Sequence, residues 1–123
     1  MKKIGLAVSA FIHTVLLAIM VPVVEAHAQN ELTDVGCAQE DRLRSTDGSI
    51  STQVTFINRS ALTIRTYWLN YQGKRVFYSD IAPGRSHVQQ TYVTHPWVIT
   101  NNPSGNCVAI YQPARTPATV VIR

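Results

Sequence analysis

The sequence is short of the residue patterns on which most enzyme chemistry rests. Two cysteines, Cys37 and Cys107, occur in 123 residues. No Cys-x-x-Cys is present, which removes the usual thiol-disulfide exchanger, and two thiols without a neighbouring His or Cys cluster are too few for a structural zinc site. There is no Gly-x-Ser-x-Gly, no His-Glu-x-x-His, no Gly-rich phosphate loop and no spaced carboxylate pair on a recognisable scaffold. His87, His95, Asp80 and several serines stand without such a frame, so the chain is expected to be neither an enzyme nor a carrier of a cofactor or metal. Massed charge is missing too. The formal net charge is +4, and the arginines (42, 44, 59, 65, 75, 85, 115 and 123) are scattered along the chain. No nucleic-acid partner is expected, only a weak preference for acidic ones. Internal repeats and low-complexity tracts are absent, and no extended 3.6-residue apolar period follows residue 28, so helices should be absent or single-turn.

The chain does have one long apolar run, from Ile4 to Val24, preceded by Lys2 and Lys3 and followed by Ala26-His27-Ala28. Positive residues, an apolar stretch and a small-x-small site are the three parts of an export signal, so residues 1–28 are read as a leader cleaved after Ala28. About 20 apolar residues would also span a bilayer. Pro22 and the cleavage pattern weigh against that anchor, so no stable membrane insertion is expected after cleavage, and the product is placed outside the cytoplasm, secreted or periplasmic. Removing the leader takes away Lys2, Lys3 and Glu25 and leaves 95 residues with nine cations against six carboxylates. That is enough for one domain and too little for two. In an oxidising compartment Cys37 and Cys107 most simply form one disulfide, closing a loop that covers most of the domain. In the chain-entropy account such a bridge stabilises by roughly 4 kcal/mol.

Residues 29–50 are polar and are read as an irregular arm tied down by Cys37. From residue 51 onward lies a domain of short runs rich in Val, Ile, Thr, Tyr and Trp: 53–58, 63–71, 74–80, 85–93, 96–100, 106–112 and 117–122. Asn58-Arg59-Ser60 and Gln72-Gly73 suit tight turns, Ala82-Pro83-Gly84 suits a type II turn, and 101–105 is a loop. Asn58-Arg59-Ser60 also fits a glycosylation acceptor, though the turn reading is the stronger one. Seven short strands in about 70 residues predict an all-β, two-sheet sandwich, since one open sheet would leave an apolar face wet.

Eight of the ten aromatic residues fall between Phe56 and Trp97. Alternation puts Ile64, Thr66 and Trp68 on one side of their strand, with Tyr67, Leu69 and Tyr71 on the other. In 85–93 it favours Val88, Gln90 and Tyr92 as the core side and leaves His87, Gln89 and Thr91 outside. His95 and Trp97 share a side opposite Val98. If Trp68, Thr91, His95 and Trp97 all face away from the core, they meet on one outer surface, with Tyr78 nearby. Apolar walls with a few hydrogen-bonding groups are the composition of a selective pocket.

The order of residues is also recognisable. Val54-Thr55-Phe56-Ile57-Asn58-Arg59-Ser60, then Trp68-Leu69-Asn70-Tyr71-Gln72-Gly73, Tyr78, Ala82-Pro83-Gly84, Thr91-Tyr92 and His95-Pro96-Trp97 together resemble the β domain of the von Hippel-Lindau tumour suppressor family. The likeness needs no gap from Phe56 to Thr100, is strong over about 43–100, and loosens over the last two strands. It implies a seven-stranded β-sandwich that binds a peptide containing 4-hydroxyproline. On that basis Trp68 and Trp97 would wall the pyrrolidine ring, Tyr78 would close the side, and His95 with the hydroxyl of Thr91 would bond the 4-hydroxyl. Tyr92 would touch the peptide. The family has serine where Thr91 stands, so one methyl is added. The animal protein is intracellular and continues into a helical domain that recruits elongin C. This chain carries an export signal and ends at Arg123, so neither elongin C nor ubiquitin-ligase function is expected, and the cysteine pair does not come from the resemblance. The competing expectation is a secreted structural, adhesive or glycan-binding sandwich that has lost the hydroxyproline ligand.

Overall fold

The computed structural model describes residues 2, 3, 5, 10–20, 30–102 and 104–123. The expected cleavage site at Ala26-His27-Ala28 lies outside the described residues, and no described helix is long and apolar enough to cross a membrane. Seven strands run in order: β1 (Ser51–Asn58), β2 (Ile64–Leu69), β3 (Arg75–Ile81), β4 (Ser86–Tyr92), β5 (Trp97–Asn101), β6 (Cys107–Tyr111) and β7 (Ala118–Ile122). They differ from the predicted runs by a residue or two at the ends. A 3-10 helix, Cys37–Arg42, is the one helical element among the described residues.

The strands form two sheets, β4-β1-β7 and β3-β2-β5-β6, and every pairing is antiparallel except β1 with β7. Val54, Phe56, Val120 and Ile122 from the first sheet meet Ile64, Ile81, Trp97, Ile99, Ala109 and Tyr111 from the second in one buried cluster. Asn58 fastens one end. Fully buried, it donates to Ile81 O at 2.9 Å across the sheets and to Leu62 O at 2.8 Å, while its Oδ1 accepts from the Ser60 amide and hydroxyl. Its amide is therefore a turn device with no room for a sugar. The Ala82-Pro83-Gly84 turn closes with Arg85 N donating to Ala82 O, and Gly84 takes φ 76°, the left-handed value a type II turn requires.

The polar arm is more than a tether. Leu32 N donates to Thr119 O and Thr119 N to Asn30 O, covering the free edge of β7. Val35 N donates to Ile110 O, and Asp34 Oδ1 accepts from Ile110 N, covering β6. The Cys37–Cys107 disulfide is formed and pins the 3-10 helix to β6. Leu43 then packs with Leu69, Val98 and Ile110 on the outer face of the four-stranded sheet, giving a second small core. The edges of β3 and β4 have no such cover among the described residues.

Two face assignments from alternation are overturned. In β4, Val88 and Tyr92 are exposed and Thr91 is buried. Pairing with β1 decides this: Phe56 lies opposite His87, Val54 opposite Gln89 and Thr52 opposite Thr91, and residues directly opposite share a face. His87, Gln89 and Thr91 therefore follow Val54 and Phe56 inward, and one apolar Val88 does not outweigh the register. Likewise Trp68, His95 and Trp97 do not look away from the core. Trp68 continues the inner face of Ile64 and Thr66, while Trp97 is almost fully buried against Phe56 with ring centroids 5.7 Å apart.

Candidate ligand-binding site

The inward turn does not disperse these side chains. Trp68, Tyr78, Thr91, Tyr92, His95 and Trp97, together with Gln90, line one pocket of about 210 Å3. It lies where the sandwich opens between the unpaired edges of β3 and β4. Each wall has a local cause. Trp97 begins β5 on the inner face, and its indole N–H donates to Thr91 Oγ1 at 2.9 Å, fixing both. The two lie six residues apart and are joined by the turn in which His95 N donates to Tyr92 O, which brings the imidazole back over the opening.

Tyr78 arrives through a bulge. β2 and β3 pair Thr66 with Ser79 but Tyr67 with Phe77, so Tyr78 is the extra residue. Bulges bend a strand and re-aim a side chain. Phe77 consequently lies with Tyr67 on the outer face, 6.2 Å between centroids, while Tyr78 meets Trp97 at 4.9 Å and Trp68 at 6.4 Å, both edge-on. A strict two-residue period misses that displacement.

Four contributors were not visible in the sequence. Ser45, buried in the arm, accepts from Trp68 Nε1 at 2.7 Å and donates to Leu69 O at 2.6 Å, which locks the indole plane. Tyr71 places its hydroxyl 3.1 Å from His95 Nε2. Asp47 N donates to Thr94 Oγ1 at 2.8 Å, tying the arm to the turn that carries His95. At Gly48 a Cβ would stand 2.9 Å from the Tyr71 hydroxyl and 3.6 Å from His95 Nε2, so the arm passes too close for a side chain. The Ser45–Trp68 and Tyr71–His95 pairs lie 23 and 24 residues apart, beyond any local pattern. Tyr71 alone had a signal, the second ring in the run Trp68-Leu69-Asn70-Tyr71.

The electrostatics are those of a neutral pocket. None of its seven lining residues is Asp, Glu, Lys or Arg. Burial lowers the His95 pKa below the ordinary histidine value, against a weaker upward pull from Asp47, so the imidazole is neutral near pH 7. Its ring stacks on Trp68 with centroids 5.2 Å apart and planes at 26°. With Nε2 occupied by Tyr71, Nδ1 has no hydrogen bond among the described residues. Thr91 Oγ1 accepts from Trp97 and keeps its own proton to give. A ligand alcohol can pair with an imidazole nitrogen in either tautomer, because a hydroxyl both donates and accepts.

A pocket of this size falls below the ~300–1,000 Å3 of sites for drug-sized molecules. It suits one small ring or side chain with a polar substituent. A family model, the VHL beta domain, matches residues 43–114, which include every residue of the pocket and Ser45. No curated protein matches the chain.

Proposed function

The chain belongs to the VHL beta domain family, whose members are protein-recognition modules rather than catalysts, and from that premise we propose that its pocket receives a proline of a partner peptide and prefers 4-hydroxyproline. The observation that carries the reading is the convergence of two indoles, two phenols, the Thr91 hydroxyl and a neutral His95 on one opening of about 210 Å3. A pyrrolidine ring is compact and apolar and fits between Trp68, Trp97 and Tyr78. Its 4-hydroxyl meets the Thr91 hydroxyl and His95 Nδ1. Unhydroxylated proline would leave those groups, both buried side chains, without a partner, at a cost of about 1–3 kcal/mol.

The flanking backbone of the peptide has a place as well. The uncovered edges of β3 and β4 bracket the pocket, and an extended segment added to either would gain main-chain hydrogen bonds while its proline turned inward. Export completes the proposal. Residues 1–28 serve as a cleaved leader, and the disulfide takes over the holding of the arm outside the cytoplasm. N-terminal sequencing of the exported protein should begin at Gln29.

Isothermal titration of two peptides differing only in the 4-hydroxyl tests the reading. Hydroxyproline should bind about tenfold more tightly, the ratio that corresponds to about 1.4 kcal/mol. Equal binding removes the hydroxyl preference, and absence of binding by both removes the pocket.

A further inference from the structure

A second opening lies beside the aromatic pocket and carries the opposite chemistry. The arm and the β2–β3 turn enclose a groove of about 520 Å3 whose charged lining is Arg42, Arg44 and Lys74 against the single carboxylate of Asp41. A neighbouring depression of about 380 Å3 shares Arg42, Leu43 and Arg44 and runs on to Val93 and Thr94. All three cations are exposed. The ion pairs among the described residues join Arg65 to Asp80, Arg75 to Glu40 and Arg123 to Glu31, so none engages Arg42, Arg44 or Lys74.

The groove is built rather than incidental. Ser45 N donates to Asn70 O at 3.1 Å, docking the arm on the turn. Asn70 Oδ1 accepts from the amides of Gln72 and Lys74, each at 2.9 Å, which fixes the turn itself. Gly73 holds φ 72°, and a Cβ there would come within 3.1 Å of Leu43 O, so the two walls touch at their base. The groove also adjoins the first site along the chain: Tyr92 and His95 line the aromatic pocket, while Val93 and Thr94 between them line the depression.

We infer that this basic groove is a second docking site, taking a short run of Asp or Glu in the same peptide whose proline occupies the aromatic pocket. The inference rests on the peptide-binding reading above and adds the class of flanking sequence it selects. Three cations with no ion-pair partner among the described residues attract carboxylates without first breaking such a pair. The trough offers no aromatic platform, which single-stranded nucleic acid uses for stacking. A ligand engaged at both points gains from local concentration, since the second contact is intramolecular once the first is made.

The test uses three 15-residue peptides with one central 4-hydroxyproline: one with three Glu on the N-terminal side, one with three Glu on the C-terminal side, and one with Gln at all those positions. They are titrated into the full chain and into its R42Q/R44Q/K74Q variant, whose fold is checked by circular dichroism. One acidic peptide should bind about tenfold more tightly than the Gln peptide at low salt, narrowing to about threefold or less at 0.5 M salt as exposed charges are screened. The triple variant should lose that gap and keep its affinity for the Gln peptide. Equal binding of all three peptides, or a gap that survives in the variant, overturns the groove and leaves the pocket standing. If no hydroxyproline peptide binds, the pocket reading fails, and hexaglutamate alone judges the groove. Salt-sensitive binding lost in the variant then supports it, while no binding, or tighter binding of a twelve-residue oligothymidine, overturns it.

Discussion

Replacing Ser45 by alanine should damage the protein far beyond what one exposed-arm serine would suggest. Ser45 is 2% exposed, accepts the Trp68 indole proton at 2.7 Å and donates to Leu69 O at 2.6 Å. The substitution removes the oxygen and leaves the indole N–H and the Leu69 carbonyl without that partner. An unsatisfied buried donor costs about 1–3 kcal/mol, and the second bond adds about 0.5–1.5 kcal/mol. A total near 2–3 kcal/mol is a large share of the ~5–15 kcal/mol available to a small domain. Urea unfolding followed by tryptophan fluorescence measures it. A double-mutant cycle with Trp68→Phe isolates the cause, because a phenyl ring has no N–H to orphan. In that background Ser45→Ala should cost only the Leu69 bond, giving a coupling of about 1–2 kcal/mol. Equal costs in both backgrounds, or a loss under about 0.5 kcal/mol in the native one, would refute the idea that the arm holds the pocket wall.

Further expectations follow from other parts of the fold. The Cys37→Ser/Cys107→Ser variant should lose roughly 4 kcal/mol in denaturant titrations, because the bridge closes a loop spanning 70 positions, whereas a loss below about 1 kcal/mol would mean that the arm is held by its hydrogen bonds alone. Burial holds the folded-state pKa of His95 below its ordinary 6.5, so at mildly acidic pH the unfolded chain binds the extra proton. The stability due to neutral His95 is complete above that value, falls as pH drops through it and levels off below the folded pKa. His95→Gln should remove this fall from a pH series of unfolding curves. Asn58→Ala should cost about 2–4 kcal/mol, since it removes the partner of the buried Ile81 carbonyl on β3 and of Leu62 O and Ser60 in the β1–β2 turn, and intact mass after eukaryotic secretion should show no sugar at Asn58.

The strands were legible because turn chemistry is local. Ala82-Pro83-Gly84 specifies its geometry within four residues, and the structure gives that turn the expected hydrogen bond and positive φ. Faces were harder because they depend on neighbours. Val88 is apolar and exposed, Thr91 polar and buried, and the pairing of β4 with β1 reverses what either residue says alone. The identities of the pocket residues came through the ordered family resemblance, yet their direction was misread, since an aromatic side chain satisfies an inner wall and an outer surface equally well. The same ambiguity explains the architecture. Trp97 is both core and pocket: its ring meets Phe56 in an edge-type contact inside the sandwich, and its N–H orders Thr91 beside the opening. A mouth built from core side chains needs no separate scaffold, but it must be kept from collapsing. Here the bulge at Tyr78 and the arm residue Ser45 hold Trp97 and Trp68 apart from either side. The disulfide at Cys37, eight residues before Ser45, thus restrains the pocket wall as well as the fold. Reduction should therefore weaken ligand binding under conditions in which the sandwich still gives its native strand spectrum.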